Sequence, residues 1–374
     1  MSEEIGRITD AEVDRLRSRL GEVVSVAEPP YLTEATRDAI RRWAQATGDR
    51  NPLYLDEEYA AKSRFGGLIA PPCLPYAFSR LSIGYRGGLP GVHSMFGGSH
   101  WRWFRPLFVG SRVDAETRFT DLIELNGQFA GRMLKQVSTT TFTATGDPSP
   151  FAEVCGWGIR TERTTAREKG KYDGIRLAHY GADALAAIAK EYAQEKCVGN
   201  EFQFWDDLEI GQELPTIIRG PYSATIAVAF EQAWGGLFIR THGNWFDFIK
   251  EHPAVGIPNR LGVSEPPEAV HWDSELARSV GVPEAYDYGP ERISWLASFV
   301  ANWVGDHGFL EELYCEIRGF SLVGDLSRCH GVVAVLEPPG AGEQGRAVLD
   351  IWISNQRGER TAKGWAAVRL PVRG

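Results

Sequence analysis

Cysteine, methionine and histidine are scarce in this 374-residue chain, with 5, 3 and 8 copies. The cysteines (Cys73, Cys155, Cys197, Cys315 and Cys329) are scattered and form no Cys-x-x-Cys pair. Metal-ribbon and dithiol motifs therefore have no support, and a reducing cytoplasm is the expected compartment. Long apolar runs are also missing, and Met1 to Asp10 is charged rather than signal-like, so no membrane association is expected. Positive charge is in deficit: 40 Lys and Arg stand against 49 Asp and Glu, a net charge of −9. That balance argues against broad nucleic-acid binding.

What remains is an ordinary globular composition, 43% hydrophobic and 24% charged, in a chain long enough that two domains are the natural expectation. The most informative stretch is Thr47-Gly48-Asp49-Arg50-Asn51-Pro52-Leu53-Tyr54-Leu55-Asp56. It follows an amphipathic run with Ile40, Trp43, Ala44 and Thr47 at helical spacing. A helix thus ends at Gly48, and an acid and an amide sit on a sharp Asn-Pro turn. Then comes Phe65-Gly66-Gly67-Leu68-Ile69-Ala70-Pro71-Pro72. Gly66 and Gly67 would let the backbone approach a ligand closely before a new helix opens at the prolines. Such an arrangement can hold a carboxylate and backbone N–H groups around a small polar reaction centre.

The block resembles the signature of the MaoC-like acyl dehydratases and (R)-specific enoyl-CoA hydratases, approximately Gly-Asp-x-Asn-Pro-Ile/Leu-His-x-Asp followed by Ser-x-Phe-Gly-Gly-x-Ile-Ala. Asp49, Asn51, Pro52, Asp56, Ser63, Phe65, Gly66, Gly67, Ile69 and Ala70 fit; Tyr54 stands where the family has its catalytic His. The resemblance implies an α+β tandem (double) hot-dog fold, antiparallel sheets each wrapped around a central helix, with a FAS1-like dehydratase N-terminal half. It implies acid–base hydration or dehydration of a thioester, with coenzyme A as part of the substrate and no other cofactor.

The chain also carries a faint duplication. Arg105 to Ser111 parallels Arg318 to Asp325, placing Gly110 and Gly324 214 residues apart. Tyr54 to Ala60 parallels His271 to Ala277 at an offset of 217. Two matches at nearly one offset point to one plan used twice. In the first half a helix is expected from Pro72 to Gly84, then strands near 94–104, 111–124, 127–145 and 151–161. In the second, a helix near 290–304 precedes strands near 311–320, 326–336, 346–354 and 361–370. Between them, Tyr180 to Cys197 reads as an amphipathic linker helix, with Leu185, Ile188, Ala189 and Tyr192 on one stripe. The expected domains are 1–170, a linker at 171–200, and 201–374.

Hydration of a 2-enoyl thioester needs a base for water, an acid for C2 and N–H donors for the thioester oxygen. The first half keeps Asp49 but has Tyr54; the second has His271 with Asp273 behind it, but Gly236 stands in the place of Asp49. An insertion from Leu237 to Val270 carries His242, Asp247, His252, Glu265 and Glu268. Three accounts stay open. His271 acts with a carboxylate of the insertion or with His242; or Asp49 acts with Tyr54, a phenol that is a poor base at neutral pH; or the machinery has decayed and the protein binds acyl-CoA as a non-catalytic subunit. A hot-dog thioesterase is a further alternative, as is a dehydratase acting on a carrier protein.

Each residue has a plain structural reading too. Asp49 is equally a cap of the Asn-Pro turn. Asp56 and Asp273 read as helix N-caps before they read as acids. Tyr286-Asp287-Tyr288-Gly289, in the place of Gly66-Gly67, either lines the pocket through Tyr286 and Gly289 or forms an ordinary turn. Arg102, Arg105 and Arg112, and the cluster Arg160, Arg163, Arg167, Lys169 and Lys171, either meet coenzyme A phosphates or form solvated faces. Trp234, Trp245, Trp272, Trp295 and Trp303 are core by default, with Trp245 and Trp272 placed to shape a large acyl pocket. The expected partner is an acyl-CoA thioester, with a homodimer or a complex with another acyl-CoA enzyme left open.

Overall fold

The computed structural model describes residues 6–26, 29–89, 91–127, 131–162, 175–253, 255–340 and 342–373. Apolar and polar residues alternate along eight long strands, and that period of two leaves one face of each strand for a core. The first half supplies β2 (His93–Trp103), β3 (Val113–Gly127), β4 (Gly131–Ala144) and β5 (Asp147–Thr161). The second supplies β9 (Phe309–Ile317), β10 (Ser327–Glu337), β11 (Gly345–Ser354) and β12 (Arg360–Leu370). Short pieces complete the set: β1 (Val23–Val24), β6 (Ile217–Arg219), and the β7–β8 hairpin (Ile257–Pro258, Ser264–Glu265) in the insertion.

Ten of these strands form one antiparallel sheet in the order β1-β3-β4-β5-β2-β9-β12-β11-β10-β6. The halves meet where β2 pairs with β9, from Gly98 opposite Glu316 to Arg102 opposite Glu312. This is the tandem hot-dog expected from the sequence. In the second half the sheet wraps the central helix Gly289–Val304, whose Ile293, Trp295, Leu296, Phe299 and Val300 are all buried. Helix Ala182–Gln194 stands in the linker region.

The expected Pro72–Gly84 helix is a correction. Only one 3₁₀ turn forms, Leu74–Phe78, because Pro72 and Pro75 donate no backbone hydrogen bond and Pro75 falls inside the run. The first half therefore has a truncated central element, and the long helix of the second half reaches across to β2 and to the helix Arg37–Thr47.

The duplication is written in backbone hydrogen bonds. Ala70 N–H donates to Leu107 O at 2.8 Å and Val109 N–H to Leu68 O; Asp287 N–H donates to Ser321 O at 2.9 Å and Val323 N–H to Ala285 O. Asp56 and Asp273 cap the helices Glu57–Lys62 and Ser274–Ser279 with φ of −117° and −116°.

Candidate functional site

Two clefts occupy corresponding places in the two halves. The first, of 680 Å³, is lined by Asn51, Tyr54, Ala70, Arg105 and apolar side chains including Trp103, Phe151 and Phe309. Its polar end is closed. Gly48, with φ of 70°, ends the helix Arg37–Thr47, and Asp49 N–H then returns to Ala44 O. The buried Asp49 Oδ1 accepts from Asn51 N–H at 3.0 Å and from Asn302 Nδ2 of the central helix at 3.1 Å. Asn51 Nδ2 donates to Asn302 Oδ1 at 2.9 Å, while Asn51 Oδ1 accepts from Leu53 N–H. Burial, with the Asp49 charge adding, raises the Tyr54 phenol well above its ordinary range, so it stays protonated. Ala70 lines this cleft, but its amide is spent on Leu107.

The second cleft, of 1120 Å³, is lined by Arg86, Phe96, Trp234, Glu268, His271, Tyr286, Tyr288 and Gly289, among others. It continues into a chamber of 1530 Å³ walled by Val255–Pro258 and Val270 of the insertion, with Arg86, Ser94, Glu268, His271 and Tyr286 common to both. Pro266 and Pro267 start the 3₁₀ turn that carries Glu268 and His271, so both side chains issue from one stiff segment. His271 Nδ1 hydrogen-bonds the Tyr286 carbonyl at 2.8 Å, and its ring stacks on Tyr288 with centroids 3.8 Å apart. A carbonyl only accepts, so Nδ1 carries the proton and Nε2 keeps a lone pair. Burial drives the imidazole pKa down to about 4. The same burial drives Glu268 up to about 7, despite the opposing Arg86 charge.

The segment holding these groups is anchored by a buried ion pair. Arg292 Nε donates to Asp287 Oδ2 at 2.7 Å, and its Nη1 donates to the carbonyls of Gly319 at 2.7 Å and Thr361 at 2.9 Å. Gly289 opens the central helix, where first-turn amides have no intrahelical acceptor. A Cβ there would stand 2.2 Å from the Phe96 ring. That position is glycine because the backbone must lie this close to the cleft wall.

The structure thus gathers His271, Glu268, Tyr286 and Gly289 in one cleft, and Asn51, Tyr54, Ala70 and Arg105 in the other, with Asp49 behind it. Asp273 is not among the lining residues; its Oδ1 accepts from Glu275 and Leu276 N–H as a helix cap. Gly66 and Gly67 lie in a turn outside the cleft, where a Cβ would meet open space. Gly66 is needed for its φ of 69°, not for close approach to a ligand. His242 is exposed at the start of its helix. Arg105 lies at the first cleft's mouth, paired with Asp147 at 2.7 Å. Arg102 pairs with Glu153 and Arg112 lies 3.8 Å from Glu34. Arg160 is buried, its guanidinium donating to the carbonyls of Arg86, Leu89 and Val92, which removes it from any phosphate site. Arg163, Arg167, Lys169 and Lys171 lie outside the described residues.

Sequence reasoning missed Glu231. It is 4% exposed, and neither carboxylate oxygen has a hydrogen-bond partner among the described residues. Its signal was available: Ala227, Phe230 and Trp234 form a buried stripe, and Glu231 falls on the same helical face.

Comparison with known proteins places these features in context. Residues 26–148 match the family model described as FAS1-like, dehydratase domain region. A UPF0336 protein of Thermobifida fusca is 33% identical over 129 residues, 33% of this chain and 83% of the relative. A 3-hydroxybutyryl-CoA dehydratase of Methylorubrum extorquens is 31% identical over 81 residues, 22% of this chain and 50% of the relative. A solved MaoC-like dehydratase superposes with a TM-score of 0.65 at 16% identity, covering 96% of this chain and all (100%) of that one.

Proposed function

This chain belongs to the MaoC-like dehydratase family, with a FAS1-like dehydratase region in its N-terminal half, and on that premise we propose that it hydrates a 2-enoyl-CoA or dehydrates a 3-hydroxyacyl-CoA in the His271 cleft. One observation carries the reading: a neutral imidazole with a free Nε2 lone pair shares a cleft with a carboxyl of pKa about 7. Base and acid thus coexist at neutral pH, which is what a 1,2-addition of water requires.

In the hydration direction, the Gly289 amide polarises the thioester oxygen as negative charge moves onto it. Water adds its oxygen to C3 and gives a proton to His271 Nε2. Glu268 delivers its own proton to C2, and the imidazolium, with a pKa near 4, passes its proton to the emptied carboxylate. The net change is one water added. The first cleft supports this role less well, because Tyr54 is held as a phenol and Asp49, though its Oδ2 has no partner, is not among the lining residues and is held through Oδ1 by Asn51 and Asn302. Asp49 and Tyr54 are therefore assigned to the scaffold, and His271 to the chemistry.

The test is turnover of trans-2-enoyl-CoA esters of short, medium and bulky acyl groups, with product chirality recorded and free thiol monitored. Wild type is expected to form a 3-hydroxyacyl-CoA without releasing thiol, and His271→Ala to lose about 10²–10⁴-fold in kcat. Thiol release would favour a thioesterase, and binding without turnover a non-catalytic acyl-CoA-binding subunit.

A further inference from the structure

Three buried polar side chains of β4 and β5, Gln136, Ser138 and Arg160, all bond to one loop of the first half. Arg160 donates through Nη1 to Arg86 O at 2.6 Å, and through Nη2 to the carbonyls of Leu89 at 2.9 Å and Val92 at 3.2 Å. Gln136 Nε2 donates to Gly87 O at 3.1 Å, and its Oε1 accepts from Arg160 Nη1 at 3.0 Å. Ser138 Oγ accepts from Tyr85 N–H at 2.8 Å. Burying a guanidinium is costly, and this one lies where it fixes the chain at Arg86, Leu89 and Val92.

What the loop presents is Arg86. Its side chain lines both the His271 cleft and the adjoining chamber, as do Ser94, Glu268, His271 and Tyr286, so it stands where the two cavities join. Protein crowds the guanidinium enough for burial to lower its pKa, yet the residue is exposed; its open side is therefore the cavity side. Glu268 and Tyr286 act on it only through space, and among the described residues it makes no hydrogen bond and no ion pair. Glu268 is not its partner. A carboxylate paired fork to fork with a guanidinium is held below its ordinary range, whereas Glu268 rises to about 7.

We propose that Arg86 is a specificity-determining residue: it takes a carboxylate carried by the acyl group, so that the preferred substrate is the coenzyme A thioester of a dicarboxylic acid. This rests on the hydratase reading above and names its substrate class. The place of Arg86 selects between the two kinds of anion such a substrate carries. The pantetheine arm keeps the phosphates of coenzyme A far from the thioester, whereas Arg86 shares its cavities with His271 and Glu268, the groups assigned to C3 and C2. An anion that reaches Arg86 from those carbons belongs to the acyl chain. Guanidinium and carboxylate are both planar and match fork to fork, and a cavity of low dielectric strengthens the pair. Val92, Val255, Ile257 and Val270 give the chamber apolar walls for the intervening methylenes. An acyl chain ending in a methyl group would leave the guanidinium covered and unpaired, which is how a site built for a polar group rejects the analogue lacking it.

The experiment compares ligands matched in carbon number, first in binding and then in turnover. Succinyl-CoA is set against butyryl-CoA, glutaryl-CoA against pentanoyl-CoA and adipyl-CoA against hexanoyl-CoA, none of which can be hydrated. Titration calorimetry on wild type is expected to show at least one carboxylated ester binding about 10–100-fold more tightly than its methyl-terminated match. Arg86→Gln should bring that ratio to within about twofold by weakening the carboxylated ester alone, and Arg86→Lys should keep part of it. The corresponding 2-enoyl esters should show the same ratio in kcat/KM. A wild-type ratio near one across the three pairs, or an equal loss on both members of a pair in Arg86→Gln, overturns the inference. Free coenzyme A weakened as much as the carboxylated ester also overturns it, by assigning Arg86 to the phosphates. Arg86 is exposed and bonds nothing through its side chain, so its replacement is expected to leave the fold intact. Failure of the hydratase reading shows separately, as wild type without turnover, and the calorimetric ratio then still decides whether the carboxylate site exists.

Discussion

The two halves use the same backbone frame for opposite ends. Tyr54 and His271 follow the same offset as the paired caps Asp56 and Asp273, and each lines its own cleft. Around Tyr54 the polar side chains bond one another, with Asn302 reaching from the central helix to both Asp49 and Asn51, and only Asp49 Oδ2 among those three residues is left without a partner. In the second half the hydroxyl of Tyr288, stacked on His271, lacks a partner, as do both carboxylate oxygens of the buried Glu231. A denser hydrogen-bond lattice gives rigidity and uniqueness. An open one holds proton-transfer capacity in reserve for a substrate. The comparison teaches that conservation of a frame does not carry its chemistry with it; the state of the hydrogen bonds does.

Substitutions at three positions would break or sharpen that contrast. The largest effect is expected from Gly289→Ala, whose added methyl would collide with Phe96 and displace the amide proposed to polarise the thioester. A loss of about 10²–10³-fold in kcat is expected from steady-state kinetics, whereas a rate within twofold of wild type would remove that amide from the mechanism. Next comes Asp49→Ala, which strips two hydrogen bonds from a buried lattice. Denaturant unfolding should show a loss of about 1–3 kcal/mol with kcat retained. Asp49→Asn, which keeps an acceptor oxygen, should unfold close to wild type. The smallest effect is expected from Tyr54→His. It places an imidazole near a carboxylate that lies behind the cleft and is held through Oδ1, so turnover in the His271→Ala background should stay below about twofold over that background. Recovered activity there would show that the first cleft lacks only its histidine.

Much of the fold could be read from the chain. The eight long strands follow from period-two alternation, as in β4 with its buried Ser138, Thr140 and Phe142, and the 16-residue central helix from its apolar run. The first half's truncated helix could not be read correctly from periodicity. Leu74, Ala77 and Phe78 keep helical spacing, but Pro75 denies the backbone its hydrogen bond. In the site, His271 was legible because the repeat pointed to it. Glu231 was overlooked although its helical face signalled burial, because no motif marks an acid there. The double glycine misled for a related reason: Gly66 is required by a left-handed turn, and sequence does not tell a turn glycine from one that faces a ligand.

The sheet's two margins bear on assembly. Beside β3, the chain at Gly21, Glu22 and Thr33 exchanges hydrogen bonds with Phe119 and Val113, and β1 pairs with Thr117 and Arg118. Beside β10, Gly211 to Leu214 bonds to Gly331 and Val333, and β6 pairs with Ser327 to Cys329. Much of each margin's hydrogen-bonding potential is thus consumed within the molecule, which blocks lateral strand addition there. Higher-order association would have to use side chains projecting from the sheet's outer surface or from the insertion, so oligomer contacts and the His271 cleft can be altered by separate sets of substitutions.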